Sequence, residues 1–135
     1  MNKTKIQILI VVTVLMLVSL ACGGSISTAK ISNAYLTANS DGSGETTVFA
    51  PSDTFHAIVE LKNAPDDTTL KAIWIAVDVP EVDPNFVIEE TSTTSDGNDV
   101  ITFDLSNDAT WPAGSYKVDI YLNDKLDRTL EFEVQ

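Results

Sequence analysis

The last twenty residues of this chain leave little choice of secondary structure. Tyr116, Val118, Ile120 and Leu122 alternate with Lys117, Asp119 and Tyr121, and Leu130, Phe132 and Val134 alternate with Thr129, Glu131 and Glu133. Successive side chains of a strand point to opposite faces, so a period of two specifies a strand with one buried face; an amphipathic helix needs apolar residues three and four apart. Asn123-Asp124 separates the two runs, as in a hairpin. Parity then constrains the register. A plain two-residue loop sets Val118 opposite Thr129, apolar against polar. A three-residue loop, Asn123 to Lys125, or a bulge that restores the phase, sets Val118 opposite Leu130 and Tyr116 opposite Phe132.

The same grammar runs upstream. Strands are expected over Ile31 to Ala38, Thr54 to Leu61, Leu70 to Val79, Phe86 to Thr91 and Asp99 to Leu105, with a short edge piece at Thr47 to Phe49 ended by Pro51. Leu70 to Val79 is nearly continuous apolar and reads as a central strand with both faces partly covered. Turn residues punctuate these runs: Asn39 to Gly44, Asn63 to Asp67, the two-proline stretch Pro80 to Asn85, and Ser95-Asp96-Gly97-Asn98, which reads as a hairpin turn. Short strands at this spacing imply an all-β, antiparallel β-sandwich of about seven strands filling residues 30 to 135.

Trp111-Pro112-Ala113-Gly114-Ser115-Tyr116 turns the chain and then starts a strong strand with a tyrosine. The arrangement resembles the tyrosine corner of immunoglobulin-like sandwiches, whose hydroxyl bonds back to the backbone just upstream. The resemblance implies structural roles for Tyr116 and for Trp74, which falls on the third strand, where that family buries a tryptophan. It also implies that Val59 and Val118 replace the family's inter-sheet disulfide with an apolar contact. Together with the Asn-centred hairpin, the ending is similar to small immunoglobulin-like modules of bacterial envelope lipoproteins.

At the other end, Lys3 and Lys5 precede an apolar run from Ile6 to Ala21, followed by Cys22-Gly23-Gly24-Ser25. This is the layout of an export signal, and the apolar run is short for the ~20 residues of a membrane span. Val18-Ser19-Leu20-Ala21-Cys22 resembles the lipobox of bacterial lipoproteins, departing from it in carrying Ser19 where the family usually has leucine. The resemblance implies cleavage before Cys22 and a diacylglyceryl chain on its thiol. Residues 1 to 21 are then a signal helix that is removed, and 22 to 29 a lipid-anchored flexible tether. The resemblance thereby implies an extracytoplasmic protein held to the membrane of the cell envelope through Cys22. An ordinary secretory signal and a retained apolar anchor are the alternatives. Cys22 is the only cysteine, so a lipidated mature chain has no thiol and no disulfide, and its stability rests on an apolar core.

The full chain carries a formal charge of -12, and removing Lys3 and Lys5 takes it to -14. Such a surface repels nucleic acid and anionic headgroups, which leaves the lipid rather than a basic patch to hold the membrane. The residues offer little for catalysis. His56 is the only histidine and reads as a surface strand residue; there is no Gly-x-Ser-x-Gly elbow, no HExxH, no CxxC and no phosphate-cradling loop. The expectation is therefore a non-enzymatic chain with no cofactor and no transition metal. Acids in turns (Asp41 with Glu45, Asp78 with Glu81 and Asp83, Asp96 with Asp99) are weak candidates for calcium, which favours oxygen-rich loops, although turn chemistry alone accounts for them. Trp111, in a turn, is the candidate ligand contact as a platform for sugar rings. The expected role is a protein-binding or structural module of the envelope, with a carbohydrate-binding module as the alternative.

Overall fold

A computed structural model describes residues 28–135. The expected signal helix over 1 to 21 and the lipidation site Cys22 lie outside the described residues, as does most of the tether. The tether's last residues are described: Thr28 donates a hydrogen bond to the carbonyl of Asn63 at 2.8 Å.

Eight strands form in order: β1 (Lys30–Thr37), β2 (Val48–Phe49), β3 (Phe55–Lys62), β4 (Thr68–Asp78), β5 (Phe86–Ser95), β6 (Asp99–Leu105), β7 (Gly114–Leu122) and β8 (Lys125–Val134). They make two sheets, β1-β3-β6 and β2-β8-β7-β4-β5. The expected all-β sandwich is present: seven longer strands and β2, the short edge piece expected at Thr47 to Phe49. One pairing is also parallel, β2 on β8. The expected hairpin at Ser95 to Asn98 is corrected: β5 and β6 belong to different sheets, so the turn is a crossover. Its side chains hold the neighbouring loop, since Asp96 Oδ1 accepts the Asp67 N–H at 2.9 Å and Asn98 Oδ1 the Asn63 N–H at 2.7 Å.

Parity is satisfied at the β7–β8 hairpin by the bulge. Tyr116 faces Phe132 and Val118 faces Leu130, as expected, and the register shifts between Ile120 and Tyr121, leaving Asp127 as the extra residue. The loop keeps two residues, Asn123 and Asp124, both at positive φ (49° and 63°), which matches a hairpin turn of the twist-compatible kind. Asn123 also clamps the tip to β4, exchanging hydrogen bonds with the backbone of Thr69.

The core lies between the sheets. Phe55 is its hub, fully buried, with the rings of Phe49, Phe132 and Trp111 at 4.8, 4.8 and 4.9 Å. Each such ring pair contributes about 0.5–1.5 kcal/mol beyond its buried area. Trp74 lies opposite Val118 on β4, and both are fully buried, as is Val59 on β3. The Tyr116 hydroxyl donates to the Pro112 carbonyl at 2.7 Å, which forms the expected corner. Gly114 is obligatory just before it, because a Cβ there would sit 2.6 Å from the Asp78 carbonyl oxygen.

Candidate functional site

The two lateral seams of the sandwich are built differently. On the β1–β8 side, Arg128 reaches across from β8 and donates from Nη2 to the Ile31 carbonyl at 2.8 Å. β2 covers the edge of β8, and its own free side is sealed because the Thr46 hydroxyl accepts the Val48 N–H and donates to the Val48 C=O. β1 is interrupted by a bulge at Ile31 and Asn33. These are the devices by which sheets avoid pairing with other chains.

Along β5 the edge is uncovered, and a bulge at Ile88 is the one such device it carries. That strand is ten residues long, is an edge, and reads Phe-Val-Ile-Glu-Glu-Thr-Ser-Thr-Thr-Ser, with no proline, glycine or lysine. Among the described residues no side chain hydrogen bonds to its backbone. Phe86 and Val87 are about half exposed (52% and 51%), and Glu89 to Ser92 are exposed. A bulge opposite Trp74 and Ile75 leaves Glu89 across from Trp74 and Glu90 across from Ile73, so the two acids point to opposite faces, as strand geometry requires.

An apolar hollow of about 200 Å³ opens beside the start of β5, lined by Ala76, Val79, Val82, Phe86, Ile88, Trp111, Pro112 and Tyr116, with Asn107 on its rim. Trp111, expected as a sugar platform, is corrected here. It is only 8% exposed, its ring stacks on Phe55, and its indole N–H donates to the Asp53 carbonyl at 3.1 Å. The loop folds the ring inward, so it contributes to the hollow's wall and presents no open face. A second groove, about 460 Å³, lies at the β2–β8–β7 end of the larger sheet, with Glu131, Glu133, Ser115 and Val48 among its lining residues.

His56 is a second correction. It is buried, 7% exposed, and its Nδ1 lies 2.5 Å from Asp104 Oδ1 across the β3–β6 pair. The cause is the β1–β2 loop, which folds back over this face. Thr37, opposite His56, donates its hydroxyl to the Ser43 carbonyl; Tyr35 donates to the Gly42 carbonyl at 3.0 Å; and Gly42 lies over Ile58. Among the described residues no hydroxyl group hydrogen bonds to the imidazole.

The acidic turns use their carboxylates locally. Asp41 accepts the hydroxyl and the backbone N–H of Ser43 at 2.6 and 2.9 Å, and these two donors hold its carboxyl below the usual range. Asp99 takes the Ser95 hydroxyl and the Val100 N–H. Glu45 pairs through its backbone, in an isolated β-bridge with Thr37, and Asp78, Glu81 and Asp83 are exposed around the proline loop. Among the described residues no three His, Cys, Asp or Glu side chains come together to hold a metal ion.

No family model and no curated protein matches this sequence. Solved structures match in shape. An immunoglobulin-like protein from Pseudomonas aeruginosa is similar over 83% of this chain and 100% of its own, at 14% identity and a TM-score of 0.55. The immunoglobulin-like fold is thereby assigned. An alkylpurine DNA glycosylase from Pseudomonas fluorescens is similar over 81% of this chain but only 31% of its own length (14% identity, TM-score 0.54). The C-terminal domain of wzt is similar over 83% of this chain and 76% of its own (11% identity, TM-score 0.50). The chain thus spans under a third of the glycosylase, and at these identities the likeness carries the fold alone.

The open β5 edge and its hollow are the features that sequence reading missed. Part of the signal was there: the run from Phe86 to Ser95 contains no proline, glycine or lysine. Edge position itself is a property of topology.

Proposed function

We propose that this chain is a lipid-anchored, extracytoplasmic and non-catalytic module that binds a protein partner in the cell envelope. The observation that carries the reading is β5, a ten-residue sheet edge left open beside an apolar hollow, in a domain whose other seam is closed. Sheet edges take partner strands through main-chain hydrogen bonds. The charge of the chain disfavours nucleic acid and anionic surfaces as partners. The lipobox-like segment ending at Cys22 supports the anchor, and its acyl chains supply about 0.8 kcal/mol per buried CH₂. The test is a native pull-down from detergent-solubilised envelope with a C-terminal tag, with Cys22→Ala as control. A stoichiometric protein partner, lost in the control, is the expected result; recovery of this chain alone contradicts the reading.

A further inference from the structure

The partner segment itself has a readable chemistry; this rests on the protein-binding reading above. We infer that β5 is extended by an extended, basic strand that places an apolar side chain in the hollow beside Phe86.

Three observations combine. First, beyond a bulge at Ile88 the free side of β5 supplies unpaired backbone donors and acceptors along Glu89 to Ser95, whereas β2 is only two residues long and is sealed by Thr46. β6, the other edge on this side, has its Val100 N–H already taken by the Asp99 carboxylate. Second, β5 carries Glu89 and Glu90, one on each face, and no cation. Lys71 Nζ lies 3.7 Å from Glu90, a loose and partly exposed pair that leaves the carboxylate able to accept more, and Glu89 forms no salt bridge among the described residues. A neighbouring strand with lysine or arginine on adjacent positions meets both acids, one on each face. Third, Phe86 and Ile88 at the start of β5 line the hollow, so the residue lying across from them on an added strand has an apolar pocket of about 200 Å³ to fill. A second copy of this chain fits poorly. Pairing β5 with itself brings two strongly acidic domains edge to edge, with no cation on either strand to offset the repulsion.

The probe is a ten-residue peptide of alternating valine and threonine with two adjacent lysines at its centre, one for each face, and its counterpart carries two glutamates there. The full chain in neutral detergent is followed by hydrogen–deuterium exchange read over residues 86–95. The lysine peptide is expected to slow exchange of the β5 amides by at least about tenfold, with the effect weakening as salt rises. The glutamate peptide leaves exchange unchanged. Thr91→Lys, on an exposed edge position, abolishes protection; the Glu89→Gln, Glu90→Gln double variant weakens peptide binding by about tenfold, on the scale of two partly exposed charge pairs. Glu131→Gln with Glu133→Gln leaves it intact. Protection at the groove of Glu131 and Glu133 instead of β5 overturns the inference. So does equal protection by both peptides, and so does concentration-dependent protection of β5 without peptide, which identifies a second copy as the occupant. The two readings fail separately. Unprotected β5 alongside a stoichiometric pull-down partner removes the edge alone, and an empty pull-down removes the protein-binding reading.

Discussion

Replacing Tyr116 by phenylalanine isolates one hydroxyl in a corner that organises the β6–β7 connection. The ring stays, stacked on Phe132 at 5.5 Å and packed near Trp111, so no cavity opens. What is lost is the 2.7 Å hydrogen bond to the Pro112 carbonyl. Pro112 is exposed, so water reaches its carbonyl in the variant, and the loss falls near the ordinary net value of about 1 kcal/mol rather than the larger penalty of a stranded buried group. For a domain of about 100 residues that corresponds to a fall in Tm of about 4–8 °C. Differential scanning calorimetry at neutral pH measures it. The pH dependence has a definite sign. Burial raises the Tyr116 phenol above its ordinary value of 10.0, because the charged form is desolvated. The wild-type advantage is therefore fully present below pH 10 and diminishes as pH rises from there toward the folded-state value. The gap between wild type and Tyr116→Phe should narrow in that range. An unchanged Tm at neutral pH, or a gap that widens above pH 10, refutes the argument.

Other outcomes follow from the same geometry. Gly114→Ala forces a Cβ against the Asp78 carbonyl and should destabilise by several kcal/mol on the scale of overpacked sites, about 1–3 or more, read by urea denaturation. Phe55→Ala empties the aromatic hub and should cost about 3–5 kcal/mol, a large share of a typical domain's stability; calorimetry detects the loss. Asp104→Asn keeps the shape of the His56 contact while removing a carboxylate that is 58% exposed, so the expected change is under about 1 kcal/mol by the same melts. Tryptophan emission should stay unshifted across a broad glycan panel, since Trp111 and Trp74 are both buried; a saturable shift would restore the sugar-platform reading.

The parts legible in the sequence are those fixed by local periodicity. The alternation through Tyr116 to Val134 specified both strands, and parity specified that a phase correction was needed between them; the chain achieves it with a bulge at Asp127 rather than a longer loop. The Trp111 to Tyr116 segment carried the corner because the hydroxyl and its acceptor are four residues apart. The misses are all long-range. A Ser-Asp-Gly-Asn turn has the same composition whether it joins paired strands or carries the chain between sheets, so the β5–β6 crossover looked like a hairpin. His56 alternates onto the outer face as expected and is buried there by a loop from another part of the chain, which strand periodicity cannot register. Trp111 followed turn composition outward, yet the contact with Phe55, far off in sequence, folds it inward.

We propose that this immunoglobulin-like domain is displayed from a membrane by a lipid on Cys22 and engages a partner along β5. The most direct measurement is metabolic labelling with a fatty-acid probe, comparing wild type with Cys22→Ala and following each through membrane fractionation. Label and membrane retention are expected in the wild type and neither in the variant. Equal labelling of both, or retention of an unlabelled wild type, would contradict the proposal.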